Sequence, residues 1–376
     1  MRSIFWFLFI SLPLVVTAQI QIPAGQLPEA GDTLLFSTDN LPASIQVGVP
    51  GENLRWDFST LQAPYVRRTN WQTADQGQRS DLFPAADLLL PLGDRIESYF
   101  QRQDQGHSLY RLGALGSDLL NLGIEGTIAY SRPELYMRTP LAFGDQFSHT
   151  YAFQQTIAAD ELPDFSLAEL PISPDSFRVS LIAERQDAVD AWGRLLIPGG
   201  FYDVLREKRV TVQQLKLEAK LGPFPWSDIT DLLRDEDFPN QRTFVEYYFF
   251  SNESRTPVAI VEMGANERFV RRVTFHASPL TTNVREIDDL QPGVYAFPNP
   301  AIITVRFEFT NLPPGNYQLS IRNILGIEVW REDYYLTDNR TERVDISNLR
   351  KGTYLYSLKN EQGKILATKR LVVVRP

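Results

Sequence analysis

Alternation of apolar and polar side chains with a period of two, broken repeatedly by proline and glycine, runs through most of this chain. Successive side chains take opposite faces only in extended backbone, so the pattern buries one face of a strand and gives a helix no continuous apolar stripe. The runs LYRLG (109–113), SLIAER (180–185), FYDVLREKRVTVQQLKLEAKL (201–221), FVEYYFFSN (244–252), PVAIVEM (257–263) and RFVRRVTFHA (268–277) all read as strands. Only two segments read as helical. One is PAADLLL after Phe83; the other is SDITDLLRDED, where Ser227 can cap a first turn and Ile229, Leu232 and Leu233 share a face. With 25 prolines and 22 glycines between short strands, the expected class is all-β: a large β-rich part followed by a small Ig-like β-sandwich.

The 376 residues are 43% hydrophobic and 22% charged, which suits a packed globular chain, and the length favours two cores over one. Acidic residues outnumber Lys and Arg by 46 to 37, and an acidic balance opposes binding to nucleic-acid backbones, which rests on clustered cations. The basic pairs in VRRTN and FVRRV read as solvated strand faces.

Met1, Arg2 and Ser3 precede the apolar run IFWFLFISLPLVV and then TAQ. A positive start, an apolar stretch and small residues at 16 and 18 predict a signal peptide over residues 1–18, cut before Gln19. The run is shorter than the roughly 20 residues a spanning helix needs, and Pro13 interrupts it, so no transmembrane segment is expected in the mature chain. Cysteine is absent. That excludes lipid attachment at a cleavage-site cysteine, thiolate catalysis and Cys-bound metals, and it inclines an exported chain of this size towards a bacterial origin.

In AWGRLLIPGGFYDVLREKRV (191–210), Pro198, Gly199 and Gly200 between two strand-like runs predict a hairpin, with Trp192, Phe201 and Tyr202 packing against a core. The acidic, Pro-rich ELPDFSLAELPISPDSF (161–177) reads as a loop excursion, the kind of segment where binding sites concentrate. Residues 285–293, with Asp288, Asp289, Pro292 and Gly293, read as a linker between a cargo domain over 19–284 and a C-terminal domain over 294–376. In the latter, Val305, Phe307 and Phe309 alternate with Arg306, Glu308 and Thr310. Tyr317, Leu319 and Ile321 alternate with Gln318, Ser320 and Arg322. Six or seven such strands make a compact sandwich. The prolines of FPNP fix their own φ and push the residue before each towards extended geometry, so Phe297 to Pro300 is expected as an extended entry to the strand TVRFEF.

The series FPNPA (297–301), VRFEF (305–309), YQLSIRNILGIEV (317–329), VDISNLRKGTYLYSL (344–358) and KRLVVV (369–374) resembles the type A C-terminal sorting domain of the type IX secretion system of Bacteroidota. Phe297 stands where that family more often has tyrosine. The motif positions are Phe297, Pro298, Asn299, Pro300, Gly326, Gly352, Tyr354, Lys369 and Val372. What the resemblance implies is a route: transit of the periplasm, recognition by an outer-membrane translocon, and release of the cargo or its attachment to surface lipopolysaccharide. GDTLLFSTDNLP (31–42), ENLRWDFSTL (52–61) and WGRLLIPGGFYDVLREKRV (192–210) are similar to stretches of exported Bacteroidota proteins with no assigned activity.

No local catalytic signature is present: no G-x-S-x-G, P-loop, G-x-G-x-x-G, H-E-x-x-H or calcium loop. His107, His149 and His276 stand in unrelated contexts, so no metal or cofactor is expected. Asp235, Glu236 and Asp237 form the densest acidic cluster, but three consecutive residues on a helix end point apart and suit a solvated face. In the run Tyr247, Tyr248, Phe249 and Phe250, two aromatics point away from whichever face is buried; either a second layer covers them or they await a ligand such as a glycan. The sequence therefore favours an exported structural or ligand-binding module over an enzyme. The alternative is a glycan hydrolase whose two carboxylates meet only after folding.

Overall fold

The computed structural model describes residues 19–374 except 64, 93–95, 117–125, 160–173, 234–240, 265–266, 278–284, 287–291 and 338. Segments 1–18 and 235–237, and most of the 161–177 excursion, therefore lie outside the described residues. The regular structure of the described residues is nearly all strand, as the alternation predicts. The cargo contributes β1 (Thr33–Asp39), β2 (Gly51–Asp57), β3 (Tyr65–Asn70), β4 (Gln72–Thr73), β5 (Leu88–Pro91), β6 (Glu97–Gln103), β7 (Ser108–Gly116) and β8 (Gly126–Arg138). It continues with β9 (Gln146–Ala158), β10 (Ser176–Ile197), β11 (Gly200–Lys220), β12 (Ser227–Asp228), β13 (Gln241–Phe250), β14 (Ala259–Met263) and β15 (Val270–His276), and the segment that follows adds β16 (Arg285–Glu286). Among the described residues these form one sheet, ordered β16-β3-β1-β15-β14-β13-β11-β10-β9-β8-β7-β6-β5-β4, with β12 beside β11 and β2 beside β10.

The expected hairpin is the centre of this sheet. β10 and β11, of 22 and 21 residues, pair along their whole length and turn at Pro198–Gly199. One irregularity interrupts them: Val189 stands opposite Glu207, but Ala191 stands opposite Arg206. A bulge of one residue moves every later side chain to the other face. Before it, Val189 joins Leu205, Phe250, Trp71, Leu88, Phe100 and Leu109 in one core. After it, Ala191, Leu195 and Ile197 join Trp56, Phe58, Val204, Phe249 and Val273 in another. The sheet curls so that β5 to β8 cover the first face.

Beyond the bulge β2 takes the place of β9 beside β10, running parallel to it. The two backbones approach so closely at Gly193 that a Cβ there would lie 2.0 Å from the Leu54 carbonyl oxygen. Only glycine fits.

Both helical expectations are overturned. Leu88, Leu89 and Leu90 lie in β5 and are all buried; a run too short for a helix is covered on both sides of a strand instead. Ser227 pairs with Ala219 rather than capping a helix, and Thr230–Leu233 form a single 3-10 turn. Asp228 holds that turn, accepting from the Thr230 backbone N–H at 3.0 Å. In the hairpin, Trp192 packs on the first core and Tyr202 on the second. Phe201 does not pack as expected: it is 62% exposed, with the Arg194 guanidinium 5.0 Å from its ring centre. Of the linker segment, Arg285–Glu286 pair with Tyr65–Val66 in the large sheet, and Gly293 opens the next strand.

The aromatic run is covered on both faces. Tyr247 and Phe249 point into the second core, where Phe249 meets Trp56 edge-on at 5.2 Å. Tyr248 and Phe250 point into the first and stack on each other at 6.1 Å. An exposed ligand platform at these four residues is thus corrected to interior packing, since strands from both layers close over β13.

The C-terminal segment forms β17 (Gly293–Phe297), β18 (Thr304–Thr310), β19 (Gly315–Asn323), β20 (Glu328–Leu336), β21 (Arg340–Asp345), β22 (Gly352–Asn360) and β23 (Ile365–Val373). They make two sheets, β17-β18-β21 and β20-β19-β22-β23, which enclose Val305, Phe307, Phe309, Leu319, Ile321, Tyr356 and Leu358. This is the expected small sandwich.

If β13 is covered on both faces, Phe249→Ala and Phe250→Ala should each lower the unfolding free energy by about 3–5 kcal/mol, whereas Phe201→Ala should stay within about 0.5 kcal/mol of the parent. Urea denaturation of residues 19–376 measures all three. A near-neutral Phe249 or Phe250 variant would return that face to the surface.

Candidate functional site

The FPNP residues and Lys369 lie on the seam where the two C-terminal sheets meet. Phe297 does not lead into β18, as the sequence suggested; it is the last residue of β17. The Phe297–Pro298 and Asn299–Pro300 peptide bonds are cis. Without N–H groups the prolines cannot extend the β17–β18 ladder, and the chain crosses instead to β23. There Asn299 acts as a staple: its Nδ2 donates to the Arg370 carbonyl at 2.7 Å and its Oδ1 accepts from the Val372 N–H at 2.9 Å. Buried Ala301 completes the crossing, donating to the Val372 carbonyl and accepting from the Val374 N–H, each at 2.8 Å.

Lys369 makes a second link between the sheets, its Nζ donating to the Val294 carbonyl at 3.1 Å while lying 3.3 Å from the centre of the Tyr295 ring. Gly352 begins β22 opposite Val373, and two residues on Tyr354 is buried, its hydroxyl donating to the Arg350 carbonyl at 2.8 Å. Gly326 sits at the β19–β20 turn with φ of +81°, a conformation that favours glycine. Around it Asn323 Oδ1 accepts from the Leu325 and Ile327 N–H groups at 3.0 Å. Ile324, Leu325 and Ile327 flank the turn with 74%, 80% and 60% of their surface exposed. The motif thus builds a closed sandwich with an apolar turn at one end.

The cargo's most concentrated chemistry lies under the large sheet and was not anticipated. Arg185 Nε donates to Asp187 Oδ1 at 2.9 Å. Arg209 pairs with Glu207, and Arg111 Nε donates to Glu134 Oε2 at 2.8 Å. Arg209 also lies 3.8 Å from the centre of the Tyr248 ring. Arg185, Asp187, Glu207 and Arg209 are each at most 3% exposed. Burial raises the Glu207 carboxyl above its ordinary range, with Arg209 opposing the shift. Burial likewise raises that of Glu246, with neighbouring Glu262 adding to it. The Glu134 carboxyl is pushed up by burial, but Arg111 and Arg185 more than offset this and its pKa falls below the usual carboxylate value. The signal in the sequence was phase: Arg185 and Asp187 fall on the same alternating positions as buried Ala183 and Val189.

Paired and sealed carboxylates of this kind cannot flank a substrate. The larger groove described, about 330 Å³, is lined by Ser180, Ile182, Gln214, Leu215, Lys216 and Gln241 and carries no carboxylate. Among the described residues no cluster of three His, Asp or Glu side chains is placed to hold a metal. The histidines stay apart: Nε2 of His149 lies 2.8 Å from the Pro133 carbonyl, and that of His276 lies 3.1 Å from Thr256 Oγ1. Burial holds the His276 pKa down to about 4.

Comparison with known proteins bears on the C-terminal part. Residues 295–374 match the family of secretion system C-terminal sorting domains. No curated protein matches the chain. Among solved structures it is similar to PorZ, an essential bacterial surface component of the type IX secretion system of Porphyromonas gingivalis, at 10% identity and a TM-score of 0.20. That likeness covers 85% of this chain and 51% of the other, so the chain spans about half of PorZ; a TM-score so low says nothing of the cargo's fold. Residues 295–374 are therefore a secretion system C-terminal sorting domain.

A neutral, half-buried His276 makes stability depend on pH in a defined sense. The unfolded chain takes up the imidazole proton near pH 6.5 and the folded one only near pH 4, so between these values this residue should lower stability by about 1.4 kcal/mol per pH unit as pH falls. Above pH 6.5 it contributes no slope. Urea midpoints at pH 7, 6 and 5 should fall less steeply for His276→Gln than for the parent, with or without a chelator; equal slopes would contradict the assignment.

Proposed function

We propose that this protein is a Bacteroidota cargo that enters the periplasm behind the signal peptide at residues 1–18 and crosses the outer membrane by its sorting domain. At the cell surface or in the medium, residues 19–284 then act as a structural or ligand-binding module. The observation that carries this reading is the sorting-domain match over residues 295–374 on a complete two-sheet sandwich. The apolar N-terminal run and the absence of cysteine agree with it. No helix among the described residues is long and apolar enough to cross a membrane.

A non-enzymatic cargo is supported by where its charged groups lie. A glycosidase requires two carboxylates on either side of an open cleft, about 5–10 Å apart, whereas Asp187, Glu207 and Glu134 are engaged by arginines inside the sheet. Surface attachment would bring lipopolysaccharide or glycans within reach as partners, and the carboxylate-free groove over Ile182 and Leu215 is a surface to which such a ligand has access.

Deleting residues 294–376 should leave the cargo in the periplasm of a host with a working type IX translocon, while the full chain reaches the surface or the medium. Immunoblots of periplasm, surface and culture supernatant report the outcome. Export of the truncated chain would refute the route. Turnover of a glycan panel by the purified cargo, lost on changing a single carboxylate, would replace the module by a hydrolase.

A further inference from the structure

The strand β18 is buried on both of its faces. Its inward residues Val305, Phe307 and Phe309 are enclosed by the sorting sandwich. Its outward residues Arg306 and Glu308 would face water in an isolated sandwich, yet Glu308 is 6% exposed and the Arg306 side chain 12%. What covers them is the cargo, through the end of β1. Arg306 Nη1 donates to Asp39 Oδ1 at 2.6 Å, and Asn40 Nδ2 donates to Glu308 Oε1 at 2.9 Å.

Asp39 is built into the cargo as a receptor. Its side chain has no exposed surface. Oδ1 also accepts from the Leu41 N–H at 3.0 Å and Oδ2 from the Gln62 N–H at 2.8 Å, so both oxygens are held in place by cargo backbone before Arg306 arrives. A buried carboxylate without its cation is costly, which opposes separation of the two surfaces. The space left among Thr38, Asp39, Asn40, Gln62, Phe297, Arg306, Glu308 and Thr341 is about 10 Å³, no more than one water molecule needs. A loosely tethered domain would not leave so tight a seam.

We propose that the sorting domain and the cargo form a specific non-covalent complex, centred on the Asp39–Arg306 ion pair, that persists when the chain between them is cut. Severing the connection and parting the two domains are then distinct events, and a released cargo exposes the Asp39 receptor. This goes beyond the export route and does not depend on it.

The test uses the full chain with a recognition site for an added protease inserted between residues 287 and 291. After complete cutting at micromolar concentration, the halves of the parent should elute together in gel filtration. Arg306→Ala should raise the dissociation constant about 30-fold or more and separate them, while Arg306→Lys should hold them more tightly than alanine does. Circular dichroism before cutting checks that each variant is folded. Separate elution of the parent halves would overturn the proposal, as would a folded Arg306→Ala protein whose halves associate as tightly as the parent's. If Arg306→Ala fails to fold, the parent and lysine chromatograms decide the matter. Export is not measured here, so this result and the fate of the sorting route are independent.

Discussion

The one-residue bulge at Asp190 is the constraint on which the large sheet depends. A strand of 22 residues with strict alternation could serve only one core. By shifting phase at Asp190, β10 places Val189 in one core and Ala191, Leu195 and Ile197 in the other. Arg206 secures the bulge. Fully buried, its Nε donates to Asp190 Oδ1 at 2.8 Å and its Nη1 reaches the Val47 carbonyl. Its guanidinium lies 5.1 Å from the Tyr247 ring centre and 5.7 Å from that of Trp56. The same arginine therefore ties the bulge to the segment before β2, which needs the glycine at 193 to run beside β10 at all.

The buried charges beside the bulge act on the same ladder. A sealed ion pair adds little net stability over an apolar pair of equal volume, because both ions lose their water. Its effect is on register. Asp187 stands directly opposite Arg209, and a slip of one residue would turn Arg209 and Glu207 together to the other face, taking both away from Asp187. Asp187 and Glu207 thus help to hold two long strands in one alignment.

The sequence was most legible where local pattern decides structure. In the C-terminal sandwich, period two named the buried faces residue by residue: Val305, Phe307 and Phe309 in β18, and Tyr317, Leu319 and Ile321 in β19, all face the core. Pro198–Gly199 likewise marked the hairpin. Legibility failed where burial comes from distant chain. Leu88 to Leu90 looked helical because a short apolar run has no period to read. The Tyr247–Phe250 run left two arrangements open, since nothing local says that Trp56 and Phe58 cover one face while Trp71 and Phe100 lie in the core on the other. At FPNP the residues were recognised but their action was not: the prolines end β17, and Asn299 then staples the chain to Arg370 and Val372, about seventy residues on. The contact between Arg306 and Asp39 spans still more of the chain and leaves no trace in either local sequence.

Two parts with different assignments emerge. The cargo is a curled sheet with the Tyr247–Phe250 run and the charges of Arg185, Asp187, Glu207 and Arg209 turned inward, whereas the C-terminal sandwich spends its motif residues on closing itself and exposes the Ile324–Ile327 turn. The central claim is that this sandwich carries the export signal. Its most direct measurement is to fuse residues 285–376 to an unrelated reporter that has its own signal peptide, and to follow the reporter in a host with and without the type IX translocon. Reporter at the surface or in the medium only when the translocon is present is the predicted result; reporter retained in the periplasm of both hosts would contradict it.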